Sequence, residues 1–467
     1  MKRLTHSIVS LISGDAAGRA VGFVITVYLA RVLSPGGFGM FGIALAALGH
    51  LQLLASPGFQ VIEARNVAAQ IDSMSVRVGG VLVMRLAIAT VLAALAGFLL
   101  PHLVQTPELA SCILLALLSL FPMAVFVDWV LQGKEDFAPL SGARVAGAVA
   151  YGVAVFALVR SSADVLFAPV AFFVGNLITA VVLFGSLTYR YGLPRLTWVP
   201  ALWRSILKES APSGAAIFFG QMVFNLPPLV VGYFLGTRDA GLYNAATKLI
   251  FLLLMADRIL NALLLPALTR LLTTRPDDVP VLLTLMAKLV WLVGLPVVLC
   301  GYLVAPTAIS VVFGTAYDGA ALVTRILLVY VGLTVLNSIA VCTVIAAKGE
   351  GAYARRTIAG SAVLAVAVIT LTPMLGIGGA ALGAALGEGA TVVLMARKAF
   401  RLQPLMRSGL TGRSAAVLIP LLALGWWAAA LPVAAGVGAI VVAWIALMLL
   451  TRALDHHDRA RLRALLI

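Results

Sequence analysis

Leu33-Ser34-Pro35-Gly36-Gly37-Phe38-Gly39-Met40-Phe41 returns 202 residues later as Leu235-Gly236-Thr237-Arg238-Asp239-Ala240-Gly241-Leu242-Tyr243. In each copy a leucine ends an apolar run, a short loop follows, and Gly-apolar-aromatic opens the next run. Six runs of membrane-spanning length separate the copies. An even number preserves orientation across a membrane, so the repeat is of the parallel kind, related by an axis along the membrane normal. The architecture expected from it is an all-α polytopic membrane protein of two six-helix lobes plus two C-terminal helices.

The rest of the chain fits that frame. Of 467 residues, 62% are hydrophobic and 11% charged, where a soluble protein carries about 25% charged residues. Mean hydropathy is +1.07. A soluble enzyme, a secreted domain, a disordered chain and a single anchor with a soluble head are all excluded. Cutting the apolar runs at Pro, Gly and charge clusters predicts about fourteen helices. They cover 8–32, 37–60, 77–100, 108–131, 140–160, 164–187, 210–235, 240–269, 281–305, 320–347, 354–373, 377–396, 414–431 and 433–451. The N-terminal lobe is expected at 1–187, a linker at 188–208, the C-terminal lobe at 209–400, and two extra helices with a basic tail at 401–467. Met1-Lys2-Arg3 before an apolar run imitates a signal peptide, but Asp15 and Arg19 interrupt it and it continues to spanning length, as a retained helix does. Cys112, Cys300 and Cys342 fall in apolar segments and read as core thiols, not a disulfide framework.

Net charge is +15, from 33 Lys+Arg against 18 Asp+Glu. With the N-terminus in the cytoplasm, 23 of the basic residues fall in cytoplasmic segments, three in opposite loops and seven inside helices. That asymmetry is the positive-inside pattern, so both termini are expected to be cytoplasmic and the charge reports topology, not nucleic-acid binding. The short outer loops leave no room for an active site, no carboxylate pair stands at the interface, and no P-loop is present. No catalytic residue, metal site or cofactor is expected.

Ionisable groups inside spans are expensive and mark function by default. They are Arg19, Arg85, Arg144, Lys248, Arg258, Lys288 and Arg325 with Asp15, Asp128, Asp257 and Glu388; Arg144 and Lys288 fall near helix ends and suit snorkelling. In the first helix Asp15, Gly18, Arg19, Gly22 and Thr26 share a face, and in the eighth Asn244, Thr247, Lys248 and Arg258 do so. Asp15 with Arg19 also fits a neutralised pair that serves packing alone. Arg19 maps by the repeat onto Gln221, with Asn225 one turn on and Pro227-Pro228 expected to break the helix. Such walls suit a cleft between lobes, and a cationic surplus suits anionic cargo, above all phosphate or pyrophosphate. Gly376-Ile377-Gly378-Gly379 imitates a dinucleotide loop, but no strand precedes it; Gly379, Gly383 and Gly387 read as a small-residue packing face. Asp455-His456-His457-Asp458 reads as a solvated surface, and His50 equally as a packing or a proton-handling residue.

Tyr28-Leu29-Ala30-Arg31-Val32-Leu33-Ser34-Pro35 with Phe38-Gly39 resembles the opening of bacterial polysaccharide transporters. These are the O-antigen and exopolysaccharide repeat-unit flippases of the multidrug/oligosaccharidyl-lipid/polysaccharide superfamily. Gly376-Ile377-Gly378-Gly379-Ala380-Ala381 and Ala347-Lys348-Gly349-Glu350 resemble later parts of the same pattern. The resemblance implies a bacterial inner-membrane protein with a central cavity, alternating access, and a polyprenyl-pyrophosphate-linked oligosaccharide as cargo. On that reading Arg19, Lys248 and Arg258 neutralise the pyrophosphate and Gln221, Asn225 and Asn244 bond sugar hydroxyls. An H+ or Na+ coupling ion would use Asp15, Asp128, Asp257 or Glu388, with Asp15 favoured for its place beside Arg19. Partners would be membrane lipids and the polymerase or glycosyltransferases of the same biosynthesis. Alternatives are a peptidoglycan-precursor flippase, a multidrug/cation antiporter and, from another class, a membrane-embedded glycosyltransferase or polymerase.

Overall fold

The structure is a computed structural model that describes residues 2–467 except 57, 70–73, 105, 404–411, 452, 454–457 and 459–467. Among the described residues there is no strand. The helices are α1 (Lys2–Ala55), α2 (Phe59–Ala68), α3 (Met74–Leu103), α4 (Pro107–Leu117), α5 (Leu120–Ala124), α6 (Asp128–Gly133), α7 (Phe137–Leu158) and α8 (Phe167–Tyr191). After them come α9 (Pro200–Leu235), α10 (Thr237–Thr274), α11 (Val279–Phe313), α12 (Ala320–Ala346), α13 (Glu350–Leu402), α14 (Gly412–Ala428) and α15 (Val433–Thr451). Eleven of the described helical stretches are long and apolar enough to cross a membrane. Two of these, α1 and α13, bend at one residue and carry a spanning length on each side, and α14 adds a shorter apolar helix. That makes the fourteen passes expected from the sequence.

The bends carry the repeat into the backbone. Ser34 has φ 62° and ψ 168°, and Gly236, its partner at the 202-residue offset, has φ 92° and ψ 177°. Gly376 bends α13 at φ 64° and ψ −149°. This region of backbone space is nearly reserved for glycine, so a serine in it stores about 1–3 kcal/mol that surrounding packing must offset.

Packing divides the chain into two compact units, Met1–Asn244 and Ala245–Ile467. The first unit keeps α9 and the opening of α10. The reason is a reciprocal contact within that unit. A Cβ on Gly39 would strike the carbonyl of Thr237 and come within 2.7 Å of the Gly241 nitrogen, and one on Gly241 would strike the carbonyl of Pro35. The two copies of the repeat therefore meet backbone to backbone, each glycine admitting the other. Gly232 admits Ile43 in the same way.

Two spans of the first unit differ from expectation. Pro227-Pro228 does not break its helix: α9 runs through both residues, which are buried. Membrane helices tolerate such prolines where neighbouring groups re-satisfy the backbone. The fourth span, expected to be continuous over 108–131, is instead interrupted after Leu117 and again at 125–127, giving α4, α5 and α6. Arg85 of α3, 2% exposed, answers the break. Its guanidinium donates to the carbonyls of Phe126 at 2.8 Å and Met123 at 2.7 Å. Arg85→Met would strip the Phe126 carbonyl of its guanidinium donor and leave Met123 with only the Phe126 backbone N–H at 3.3 Å, at about 1–3 kcal/mol for a buried acceptor left unmet. Thermal unfolding of the detergent-solubilised variant is expected at a clearly lower temperature than wild type, with Arg85→Lys between them. An unchanged midpoint would mean the break holds itself.

In the second unit the glycine stripe packs as read. Gly379 faces the Leu371 carbonyl, Gly383 faces Val368 and Gly387 faces Leu364, so the two halves of α13 lie against each other at glycine spacing. α14 and α15 pack on α11, where Trp444 donates its indole N–H to the Leu292 carbonyl at 2.8 Å. Lys288 of α11 does not snorkel: it is 8% exposed and pairs with Asp458 at 2.6 Å. Asp458 is accordingly a docked residue, not solvated surface; 455–457 lie outside the described residues. In the loop between α7 and α8, backbone N–H groups of Arg160 and Ser161 and the Ser161 hydroxyl hold the Asp164 carboxyl below the usual carboxylate range.

Candidate functional site

In the second unit, apolar helices carry polar residues that converge on two carboxylates. The Ser338 hydroxyl of α12 donates to Asp257 Oδ1 of α10. Asn261, one turn along α10, donates its amide to Asp257 Oδ2 at 3.1 Å and to Ser338 Oγ at 2.8 Å. Cys342 closes the group by donating to Asn261 Oδ1 at 3.1 Å. The neighbouring residue on α12, Asn337, donates to Glu388 Oε1 of α13 at 3.0 Å. Consecutive residues of α12 thus each hold one carboxylate. Asn337 Oδ1 is buried and accepts no hydrogen bond from the described residues.

Helix periodicity explains part of this arrangement. Asp257 and Asn261 stand four residues apart and so project from one face of α10, while Arg258, one residue on, is exposed. Asn337 and Ser338 are buried at 7% and 5% exposure. Clustered carboxylates, hydroxyl and amide oxygens inside a membrane can exchange a proton or take a small hard cation. Among the described residues, no group of three or more His, Cys, Asp or Glu side chains is arranged to hold a metal ion.

The remaining residues singled out in the sequence are placed as follows. In the second unit, the Lys248 ammonium lies 5.6 Å from the centre of the Phe251 ring. In the first unit, Gln221 is exposed on α9, and Asn225, one turn later, lies against Gly49 of α1. Asn244 is 8% exposed, its amide filling the space that Gly42 leaves open. Asp128 opens α6 close to Arg85, with Oδ1 buried and accepting no bond from the described residues. The side chains of Asp15 and Arg19 lie outside the described residues, although α1 runs through both. His50 touches the Ala46 carbonyl at 3.1 Å and packs edge-on against Phe218, a helix-packing placement.

Sequence reasoning missed Ser338, Asn337 and Asn261. The available signal was the adjacent polar pair in an otherwise apolar twelfth helix, and an asparagine one turn from an intramembrane aspartate. It also missed Glu63, which is fully buried and takes Arg77 Nε and Nη2 at 2.7 Å each.

Helices alone among the described residues, spanning lengths throughout and a parallel repeat with backbone-close corners define a multi-pass membrane protein. The family model described as polysaccharide biosynthesis protein matches residues 4–275, and the chain belongs to that family. Its fold is similar to that of a lipid II flippase MurJ in an inward closed conformation, at 12% identity and TM-score 0.76, over 97% of this chain and 100% of that one. An inward-facing multidrug resistance MATE family transporter of the MOP superfamily matches at 15% identity and TM-score 0.67, over 85% of this chain and 98% of that one. A MOP superfamily transporter from Pyrococcus furiosus matches at 15% identity and TM-score 0.57, over 86% and 95%. No curated protein matches the sequence.

Proposed function

We propose that the chain is a flippase that carries a polyprenyl-pyrophosphate-linked oligosaccharide, the repeat unit of a polysaccharide, from the cytoplasmic to the outer leaflet of a bacterial inner membrane by alternating access. The observation that carries this reading is the family membership over residues 4–275 on a fold similar to that of a lipid II flippase. Lys248 and Arg258 of α10 with Arg19 of α1 would neutralise the pyrophosphate, and Gln221, Asn225 and Asn244 would meet sugar hydroxyls. The similarity to the lipid II flippase favours one second reading, the peptidoglycan precursor as cargo. Both cargoes share the polyprenyl pyrophosphate and differ in the glycan.

Purified protein in liposomes should move labelled lipid-linked glycan between leaflets with no nucleotide sugar present; a requirement for a sugar donor would indicate glycosyl transfer instead. Arg19→Ala and Arg258→Ala should each reduce flipping at least tenfold at near-normal protein level, because a desolvated phosphate would lose a charge-assisted partner worth about 1.5–3 kcal/mol. Lysine at either position should restore part of the rate, since it returns the charge without the planar fork. Normal flipping by an alanine variant would remove that residue from head-group binding.

Orientation has its own test. In intact cells Thr237→Cys should react with a membrane-impermeant thiol reagent, whereas Arg401→Cys should not. Labelling of the second from outside would invert the assigned topology and with it the direction of transport.

A further inference from the structure

We propose that residues 189–208 form an interfacial anchor that binds the anionic headgroups of phospholipids in the leaflet where α8 ends and α9 begins. Helix α8 ends at Tyr191 and α9 begins at Pro200, and both are membrane-spanning in length and composition. The chain between them therefore stays at one membrane surface.

It is also held there in a fixed posture. Gly192 turns the chain at φ 85°, and 193–199 run without helix along the first turns of α3. The Arg195 backbone N–H donates to Ser75 Oγ at 3.0 Å and the Thr197 hydroxyl to the Val76 carbonyl at 3.3 Å. The Trp203 indole donates to the Gly80 carbonyl at 3.0 Å. Gly79 permits the approach: a Cβ there would strike the Arg195 carbonyl. Polar groups of the segment are thus engaged inward, on α3.

What remains outward is large and apolar. Tyr189 is 92% exposed, Leu193 71%, Leu196 66% and Trp198 67%, with Trp198 edge-on to Trp203 at 4.4 Å. Exposed Arg195 stands among them, and exposed Arg204 and Lys208 follow on the first turns of α9; none of the three makes a side-chain hydrogen bond or ion pair among the described residues. Arg190 differs, being paired with Asp136 at 2.7 Å. The acid within the following turn, Glu209, takes the Ser205 hydroxyl.

Water is a poor environment for four such side chains on a pinned backbone, and the bilayer interface is a good one. Tryptophan and tyrosine settle at headgroup level, and leucines reach the acyl boundary. The unpaired cations then lie among phosphates, where each basic residue adds attraction to an anionic leaflet. A zwitterionic leaflet would meet the apolar side chains equally well but leave the three cations uncompensated. Charge complementarity therefore selects anionic lipid.

The test uses the full-length protein in phosphatidylcholine bilayers containing phosphatidylglycerol, with a nitroxide quencher placed near the headgroup of one lipid or the other. Subtracting the fluorescence of Trp198→Phe isolates the Trp198 signal. Headgroup-labelled phosphatidylglycerol should quench that signal at least twofold more than labelled phosphatidylcholine, and added salt should erase the difference. The variant Arg195→Gln/Arg204→Gln/Lys208→Gln should keep quenching by both lipids and lose the preference. Equal quenching by the two lipids in wild type would overturn the proposal. So would quenching by aqueous iodide without any by lipid, which puts the segment off the membrane. Shielding from both quenchers, which puts a protein over the patch, overturns it too. The salt series on wild type needs no variant, so misfolding of the triple substitution leaves the test intact.

Discussion

Gly39→Ala and Gly241→Ala should each remove most folded protein from the membrane, although each adds one carbon. At Gly39 the new Cβ would collide with the Thr237 carbonyl, and at Gly241 with the Pro35 carbonyl. Neither obstacle is a side chain that can swing aside; both are backbone at a corner already bent into a region nearly reserved for glycine. Overpacking of a side-chain core costs about 1–3 kcal/mol, and a rigid backbone contact should exceed that range. Membrane proteins are marginally stable like others, so such a loss moves much of the population out of the folded state. The control is internal: Gly97→Ala and Gly185→Ala point their Cβ into open space and should leave yield unchanged. The measurement is monodisperse protein recovered by size exclusion at equal expression. Normal recovery of both corner variants would show that the two copies of the repeat do not depend on this approach.

The repeat was legible because the same demand on the backbone recurs at the same place. A leucine, a residue in an unusual conformation and a Gly-apolar-aromatic opening define a corner, and they read alike at 33–41 and 235–243. Spans were legible because the lipid core sets their length, and the stripe Gly379, Gly383, Gly387 because helix–helix contact sets its spacing. What stayed hidden depends on partners distant in sequence. The break in the fourth span exists because Arg85, 38 and 41 residues before the carbonyls it caps, replaces the lost helical donors; the local sequence reads as continuous apolar helix. The pairing of Lys288 with Asp458 bridges 170 residues, and neither residue announces the other. Asp257 and Glu388 were legible as intramembrane acids, but their union required α12 to present Asn337 and Ser338 to both, which one-dimensional periodicity does not specify. The sequence favoured Asp15 for coupling from its neighbour Arg19; both side chains lie outside the described residues, and among the described ones the organised network surrounds Asp257 and Glu388.

That network leads to the second large effect. If an ion gradient drives the proposed flipping, Asp257→Asn and Glu388→Gln should each abolish gradient-dependent accumulation while leaving slow equilibration between leaflets. Each substitution keeps the shape and removes the negative charge that an arriving proton or cation would neutralise. Ser338→Ala should give a smaller loss in the same direction, since Asp257 keeps Asn261 at 3.1 Å and loses its hydroxyl donor. A carboxylate contact worth about 1.5–3 kcal/mol translates to at least tenfold in ion affinity, so raising the driving ion should not rescue the asparagine variant within a usable range. The experiment is transport of labelled lipid-linked glycan in proteoliposomes under an imposed pH or sodium gradient, with Asp15→Asn run alongside. Equal gradient dependence in wild type and in Asp257→Asn would take this cluster out of coupling, and loss in Asp15→Asn alone would return the role to α1. Wild-type transport indifferent to both gradients would leave flipping driven by downstream consumption of the cargo, and the two acids would then be a packing network that stabilises α10, α12 and α13. Those outcomes separate by stability as well: a packing network predicts a lower unfolding temperature for Asp257→Asn in detergent without any gradient, whereas a coupling site predicts loss of transport in a protein that unfolds like wild type.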